Sequence, residues 1–84
     1  MIEIKVLGPG CANCKRLEQI AHRVVEDMGI EANIIKVTDY NEIVNLGVLR
    51  TPGLIINDKV VSSGRIPANE EVEGWIKEAS SIQP

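Results

Sequence analysis

The chain has 84 residues, a formal net charge of −3 and 44% hydrophobic residues, with Tyr40 and Trp75 its only aromatics. That length predicts a single domain over 1–84, above the size at which disulfides or metals usually hold a fold together. The acidic balance supplies no basic patch to neutralise phosphates, which argues against nucleic acid or an anionic membrane as partner, and no segment reaches the roughly 18–20 apolar residues that cross a bilayer.

Ile2, Ile4 and Val6 alternate with Glu3 and Lys5, predicting a strand that Leu7 closes. The same residues do not form a basic region followed by an apolar run, so no signal peptide is expected, and the reducing cytoplasm is the expected compartment. Gly8-Pro9-Gly10 breaks the strand and leads into Cys11-Ala12-Asn13-Cys14, which holds both cysteines of the chain. Beyond it, Leu17, Ala21, Val24 and Met28 step by three and four, widened by Ile20 and Val25, and Gly29 follows as a stop. This predicts an amphipathic helix.

Ala32 to Val37 reads as a second strand, and the adjacent Ile34 and Ile35 suggest burial on both faces. Asp39-Tyr40-Asn41-Glu42 has capping-box spacing, predicting a short helix to Leu46 that Gly47 ends. Thr51-Pro52-Gly53 precedes a third strand, Leu54-Ile55-Ile56. Asn57-Asp58 signals a turn, Val60-Val61 returns as a fourth strand, and Gly64 ends it. Pro67 to Asn69 opens a last helix with Val72, Trp75, Ile76, Ala79 and Ile82 at helical spacing, where Trp75 reads as a core anchor.

The order is β-α-β-α-β-β-α. A helical crossover makes the first two strands parallel, and the hairpin makes the last two antiparallel. The expected fold is α/β, a mixed four-stranded sheet with helices on both faces.

The chemistry sits at the cysteines. A helix N-terminus presents free N–H groups and a positive dipole end, which favour a thiolate. With Cys11 at the helix start and Cys14 one turn further in, the two sulfurs come within disulfide reach with little backbone movement. Cys11, nearer the dipole, is then the attacking thiolate and Cys14 the thiol that resolves a mixed disulfide. Lys15 and Arg16 add positive charge in the first turn, or are plain solvated surface. A second signal is Pro52. Proline cannot donate to a ladder, so one leading an apolar strand implies a tight turn of the kind that accepts a cis bond.

The strand–CxxC–helix unit, the element order and Thr51-Pro52 before the third strand resemble the thioredoxin/glutaredoxin superfamily over essentially the whole chain. Gly8-x-Gly10-Cys11-Ala12-Asn13-Cys14 with Pro52-Gly53 is similar to the small archaeal and bacterial thioredoxin-like, redox-active disulfide proteins. The resemblance implies a dithiol–disulfide oxidoreductase with Cys11 as nucleophile, Cys14 as resolving thiol and Pro52 as a cis-proline facing them. It also implies that Thr51 offers backbone groups to an extended substrate and that Gly64 lets the substrate backbone approach. Protein disulfides would be the substrates, a reductase the electron donor, no cofactor would be needed beyond the Cys11–Cys14 pair, and the protein would be a monomer. Three departures stand out: Gly10 where thioredoxins have an aromatic, Ala12-Asn13 in place of Gly-Pro or Pro-Tyr, and Lys5 in place of a buried acid.

The rival reading is a soft-metal carrier, since two thiolates suit Cu(I) or Zn and small metal-binding domains also place CxxC after a first strand. Against it, those domains carry Met where Pro9 stands, and their β-α-β-β-α-β order ends on a strand. His22 lies eight residues beyond Cys14, more than two helical turns at about 1.5 Å per residue, and reads as a solvated histidine beside Glu18 and Glu26. A module in which the pair senses redox state or docks a partner also fits the pattern.

Overall fold

Alternation along the first strand sets up two cores. In the computed structural model, which describes residues 2–10 and 12–82 and of 80–82 the backbone alone, the elements are β1 (Ile2–Leu7), α1 (Ala12–Met28), β2 (Ala32–Val37), α2 (Tyr40–Asn45), β3 (Gly53–Ile56), β4 (Lys59–Ser63) and α3 (Asn69–Ile82). The four strands form one sheet in the order β2-β1-β3-β4, with β1 parallel to β2 and antiparallel to β3, and β3 antiparallel to β4. This is the mixed α/β architecture expected from the element order.

Ile2, Ile4 and Val6 of β1 and Leu54 and Ile56 of β3 meet Leu17, Ala21 and Val24 of α1 and Val72 and Ile76 of α3 in the larger cluster. Each Val, Leu or Ile side chain among them withdrawn from water contributes about 1.5–3 kcal/mol before entropy is counted. On the opposite face Leu7, Val37 and Ile55 meet Ile43 of α2 and Val48. Trp75 packs against the larger cluster but stays half-buried, beside Ile56, Val61 and Ala79 in a surface groove.

The asymmetry of the two layers corrects one expectation. β2 is not buried on both faces: only Val37 is fully buried, and Asn33 and Lys36 are exposed. β2 is an edge strand, and α2, six residues long, reaches only its C-terminal end. The doubly buried strand is β3, all four of whose residues are buried. For the same reason the Glu3–Lys5 end of β1 lies uncovered on the α2 face. Lys5 Nζ stands 3.4 Å from Glu3 Oε1 and 3.9 Å from Asp58 Oδ1, held by surface carboxylates.

Local chemistry fixes the ends. Asp39 caps α2 by accepting from the Asn41 N–H at 2.9 Å, and the Gly47 and Val48 N–H groups donate back to Val44 and Ile43. That closing turn points Val48 into the smaller core. Asn57 and Asp58 (φ 49° and 68°) make a two-residue hairpin loop, and Asn57 exchanges hydrogen bonds with the Glu3 backbone, its own N–H donating to Glu3 O and its Oδ1 accepting from Glu3 N–H. At α3 the residue before the helix, Ala68, accepts from the Glu71 and Val72 N–H groups through its carbonyl but has no side-chain oxygen. The Glu71 carboxylate reaches back to accept from the Ala68 N–H at 3.2 Å, while Arg65 donates to both its oxygens at 3.1 and 2.8 Å.

β4 is longer than Val60-Val61 alone, running on through Ser62 and Ser63. The register shifts between Leu54 and Ile55, leaving Val61 as an extra residue and setting Ser62 opposite Leu54. Ser62 is 6% exposed, and its Oγ has no hydrogen-bond partner among the described residues.

Two stability measurements follow. Ser62→Ala removes a desolvated hydroxyl that makes no bond, so it is expected to be neutral or to stabilise by up to about 1 kcal/mol; a clear loss in thermal unfolding would show that the hydroxyl has a partner. The Glu71 carboxyl is held below its ordinary range, first by the Arg65 hydrogen bonds and then by the Ala68 N–H. A depressed carboxylate stabilises the fold at neutral pH, and that contribution is lost as pH falls through its folded-state pKa. Denaturation curves of the wild type and Arg65→Ala should therefore separate at neutral pH and converge in acid, and NMR titration of Glu71 should move up in the variant.

Candidate active site

The site forms where β1 ends, α1 begins and β3 starts. The two glycines around Pro9 do different work. Gly10 takes φ +99°, a left-handed turn that a side chain disfavours. Gly8 is buried and continues the ladder, donating its N–H to Val37 O at 2.9 Å. A Cβ on Gly8 would overlap Cys14 Sγ, stand 2.8 Å from Cys14 Cβ and reach within 3.9 Å of Thr51 Cβ. The bare backbone of Gly8 is thus the wall against which Cys14 lies.

Cys14 occupies the first turn of α1, is 5% exposed and is disulfide-bonded. Cys11 lies outside the described residues. No acid stands in the first turn of α1, so nothing there offsets the positive end of its dipole. Lys15 and Arg16 are exposed on the same turn.

Thr51 and Pro52 come from the other side. Their peptide bond is cis, Thr51 is half-buried and Pro52 buried. Pro52 O accepts from the Gly64 N–H at 2.9 Å, one step beyond the Gly53–Ser63 pair of the β3–β4 ladder. Gly64 has φ +76°, and a Cβ there would be 3.0 Å from Arg50 Cβ and 3.2 Å from Arg50 Cδ. The stem of Arg50 therefore lies along the Gly64 backbone. Gly53 is bare for a separate reason: a Cβ on it would be 2.7 Å from Val48 Cγ1.

Four of the residues singled out from sequence, Cys14, Thr51, Pro52 and Gly64, thus converge at one end of the sheet. Lys5 does not join them, being tied to Glu3 and Asp58. His22 is exposed on α1 with Nε2 3.9 Å from Glu18 Oε2, and among the described residues no group of three His, Cys, Asp or Glu side chains is arranged to hold a metal. Sequence reasoning missed Arg50 and read Gly8 only as a strand breaker, whereas it continues the ladder and gives Cys14 room. A pair of glycines at a strand's end was the signal for Gly8, since one turn residue alone would have broken the strand.

A mixed sheet in this order, a first helix entering beside a cysteine, and a cis-proline opposite it define a thioredoxin-like α/β protein. Comparison with known sequences agrees. The family described as "Thioredoxin domain" matches residues 2–77. A thioredoxin of Methanocaldococcus jannaschii is 40% identical over 92% of this chain and 88% of its own length. A thioredoxin of Methanothermobacter thermautotrophicus is 34% identical over 87% of this chain and 95% of its own. The chain belongs to the thioredoxin family.

The approach at Gly8 has a direct test. Gly8→Ala is expected to cost about 1–3 kcal/mol of stability from overpacking against Cys14, and to slow thiol exchange. Gly74→Ala, in α3 with nothing within 4 Å of the added carbon, should instead stabilise by roughly 0.5–1 kcal/mol. Equal effects in chemical denaturation would refute the close approach.

Proposed function

We propose that this protein, a dithiol–disulfide oxidoreductase by family, exchanges thiols and disulfides with protein substrates through Cys11 as nucleophile and Cys14 as resolving thiol. The observation that supports the reading is the setting of Cys14: disulfide-bonded, shielded from water at the start of α1, and beside Thr51 at the cis-proline. Cys11, the only other cysteine of the chain, is its partner in this proposal.

In the reducing direction, the Cys11 thiolate attacks one sulfur of a substrate disulfide. A Cys11–substrate mixed disulfide forms, and the other substrate sulfur leaves as a thiolate that takes up a proton. Cys14 then loses its proton and attacks Cys11 Sγ. The Cys11–Cys14 disulfide forms and the second substrate thiolate departs, so that two electrons have passed from the pair to the substrate. The open dipole of α1, with Lys15 and Arg16 nearby, favours the Cys11 thiolate. Burial of Cys14 keeps the resolving thiol away from other oxidants. Thr51 offers backbone groups to an extended substrate segment, Pro52 sets the cis turn that presents them, and Gly64 leaves room for the incoming chain. A reductase returns the electrons, the pair is the whole redox equipment without a further cofactor, and the chain works as a monomer in the cytoplasm. Among the described residues no helix is long and apolar enough to cross a membrane.

The roles are separable by trapping. Cys14→Ser incubated with a disulfide substrate should accumulate a mixed disulfide at Cys11, identified by mass spectrometry, whereas Cys11→Ser should trap nothing and reduce nothing. Adducts at Cys14 alone would reverse the roles. A wild-type pair that never closes a disulfide in defined thiol buffers, yet holds Cu(I) tightly, would favour metal carriage.

A further inference from the structure

The cations of this chain are unevenly partnered. Lys5, Arg23, Lys36, Arg65 and Lys77 each have a carboxylate oxygen within 4 Å. Lys15, Arg16, Arg50 and Lys59 make no ion pair among the described residues, and of these Lys15 and Arg50 are at the site, one on each side. The acids show the converse pattern. The chain has 12 of them against nine Lys and Arg, yet residues 4–17, 43–57 and 59–69, which build the site, contain none. The segments that carry Cys14, Arg50, Thr51, Pro52 and Gly64 are thus free of acids, and the acids at this end of the sheet, Asp39 and Glu42, sit at the start of α2 beyond Val37.

Arg50 is the member of this set that geometry holds in place. Its stem lies on the Gly64 backbone, with 3.0 and 3.2 Å between the Cβ position there and Arg50 Cβ and Cδ. Gly64 is itself fixed by its hydrogen bond to Pro52, and Arg65, the next residue, is anchored to Glu71. Arg50 is exposed. A guanidinium on a stem braced in this way has lost part of its freedom before any partner arrives, so less is lost when it binds a carboxylate.

We propose that Arg50 is a specificity-determining residue that engages a carboxylate beside the target disulfide, so that the preferred substrates are disulfides set in acidic peptide segments. The inference rests on the thiol-exchange function proposed above and adds the substrate class. A segment laid along Pro52 and Gly64 passes next to Arg50, and Lys15 gives the same sign of charge across the site. Charge complementarity of this kind acts mainly on encounter and on the choice between partners, and it weakens with salt because the groups are solvated.

The test uses two disulfide-linked peptides of identical core, one flanked by Asp and Glu and one by Lys. The readout is the ratio of their kcat/KM values for the intact protein, taken at low and high ionic strength. The wild type is expected to favour the acidic peptide by about 3- to 10-fold at low salt, less at high salt. Arg50→Glu should abolish or invert the ratio and Arg50→Lys should keep its direction. Lys59→Glu makes the same change of charge at the far end of β4 and should leave the ratio as it was. A ratio near one in the wild type overturns the proposal, as does a preference that survives Arg50→Glu or is lost equally in Lys59→Glu. A wild type inactive on both peptides and on a neutral small disulfide overturns the thiol-exchange reading itself, and this proposal with it.

Discussion

A helix can set its first turn against the end of a strand only where that strand's last residue leaves room. Here the room is Gly8, and the group that fills it is the side chain of Cys14. The contact fixes the entry of α1, places Cys14 out of solvent and brings it toward Thr51. The larger core then locks the arrangement, because Leu17, Ala21 and Val24 continue along the same face of α1 onto β1 and β3. The packing of α1 on the sheet and the disulfide at Cys14 together hold the reactive group.

The other face is lighter and does a different job. α2 brings only Ile43 to the smaller core, yet its closing turn delivers Val48, and Val48 sits where Gly53 has no side chain. That approach fixes the chain on either side of the Arg50–Thr51–Pro52 segment. The segment is therefore braced before it by Val48 and after it by β3, while Gly64 bonds to it laterally.

The large elements were legible because their patterns were periodic. The α1 stripe, the Gly29 and Gly47 stops, the Asp39 cap and the Asn57-Asp58 turn are local signals, and each element lies where those signals put it. β2 was misjudged because adjacent isoleucines suit a doubly buried strand and equally an edge strand half covered by a short helix; only the length of α2 in space distinguishes them. Ser62 and Ser63 hid the end of β4, since polar residues do not announce a strand whose pairing comes from its partner. Arg50 was invisible for a related reason: its significance depends on Gly64, fourteen residues away, and on the chain reversal that joins them. The family likeness was carried by Cys11, Cys14 and Pro52, and Cys11 lies outside the described residues.

The bulge at Val61 bears on how the molecule lives with its neighbours. A four-stranded open sheet has two borders, β2 and β4, each with backbone groups able to template another strand. The extra residue in β4 twists one border out of flat register, and the charged side chains of Lys59 there and Lys36 on β2 discourage a second copy from adding on. For a protein whose proposed partners are extended chains, these features disfavour strand addition along the long sides and leave the site end as the place of capture.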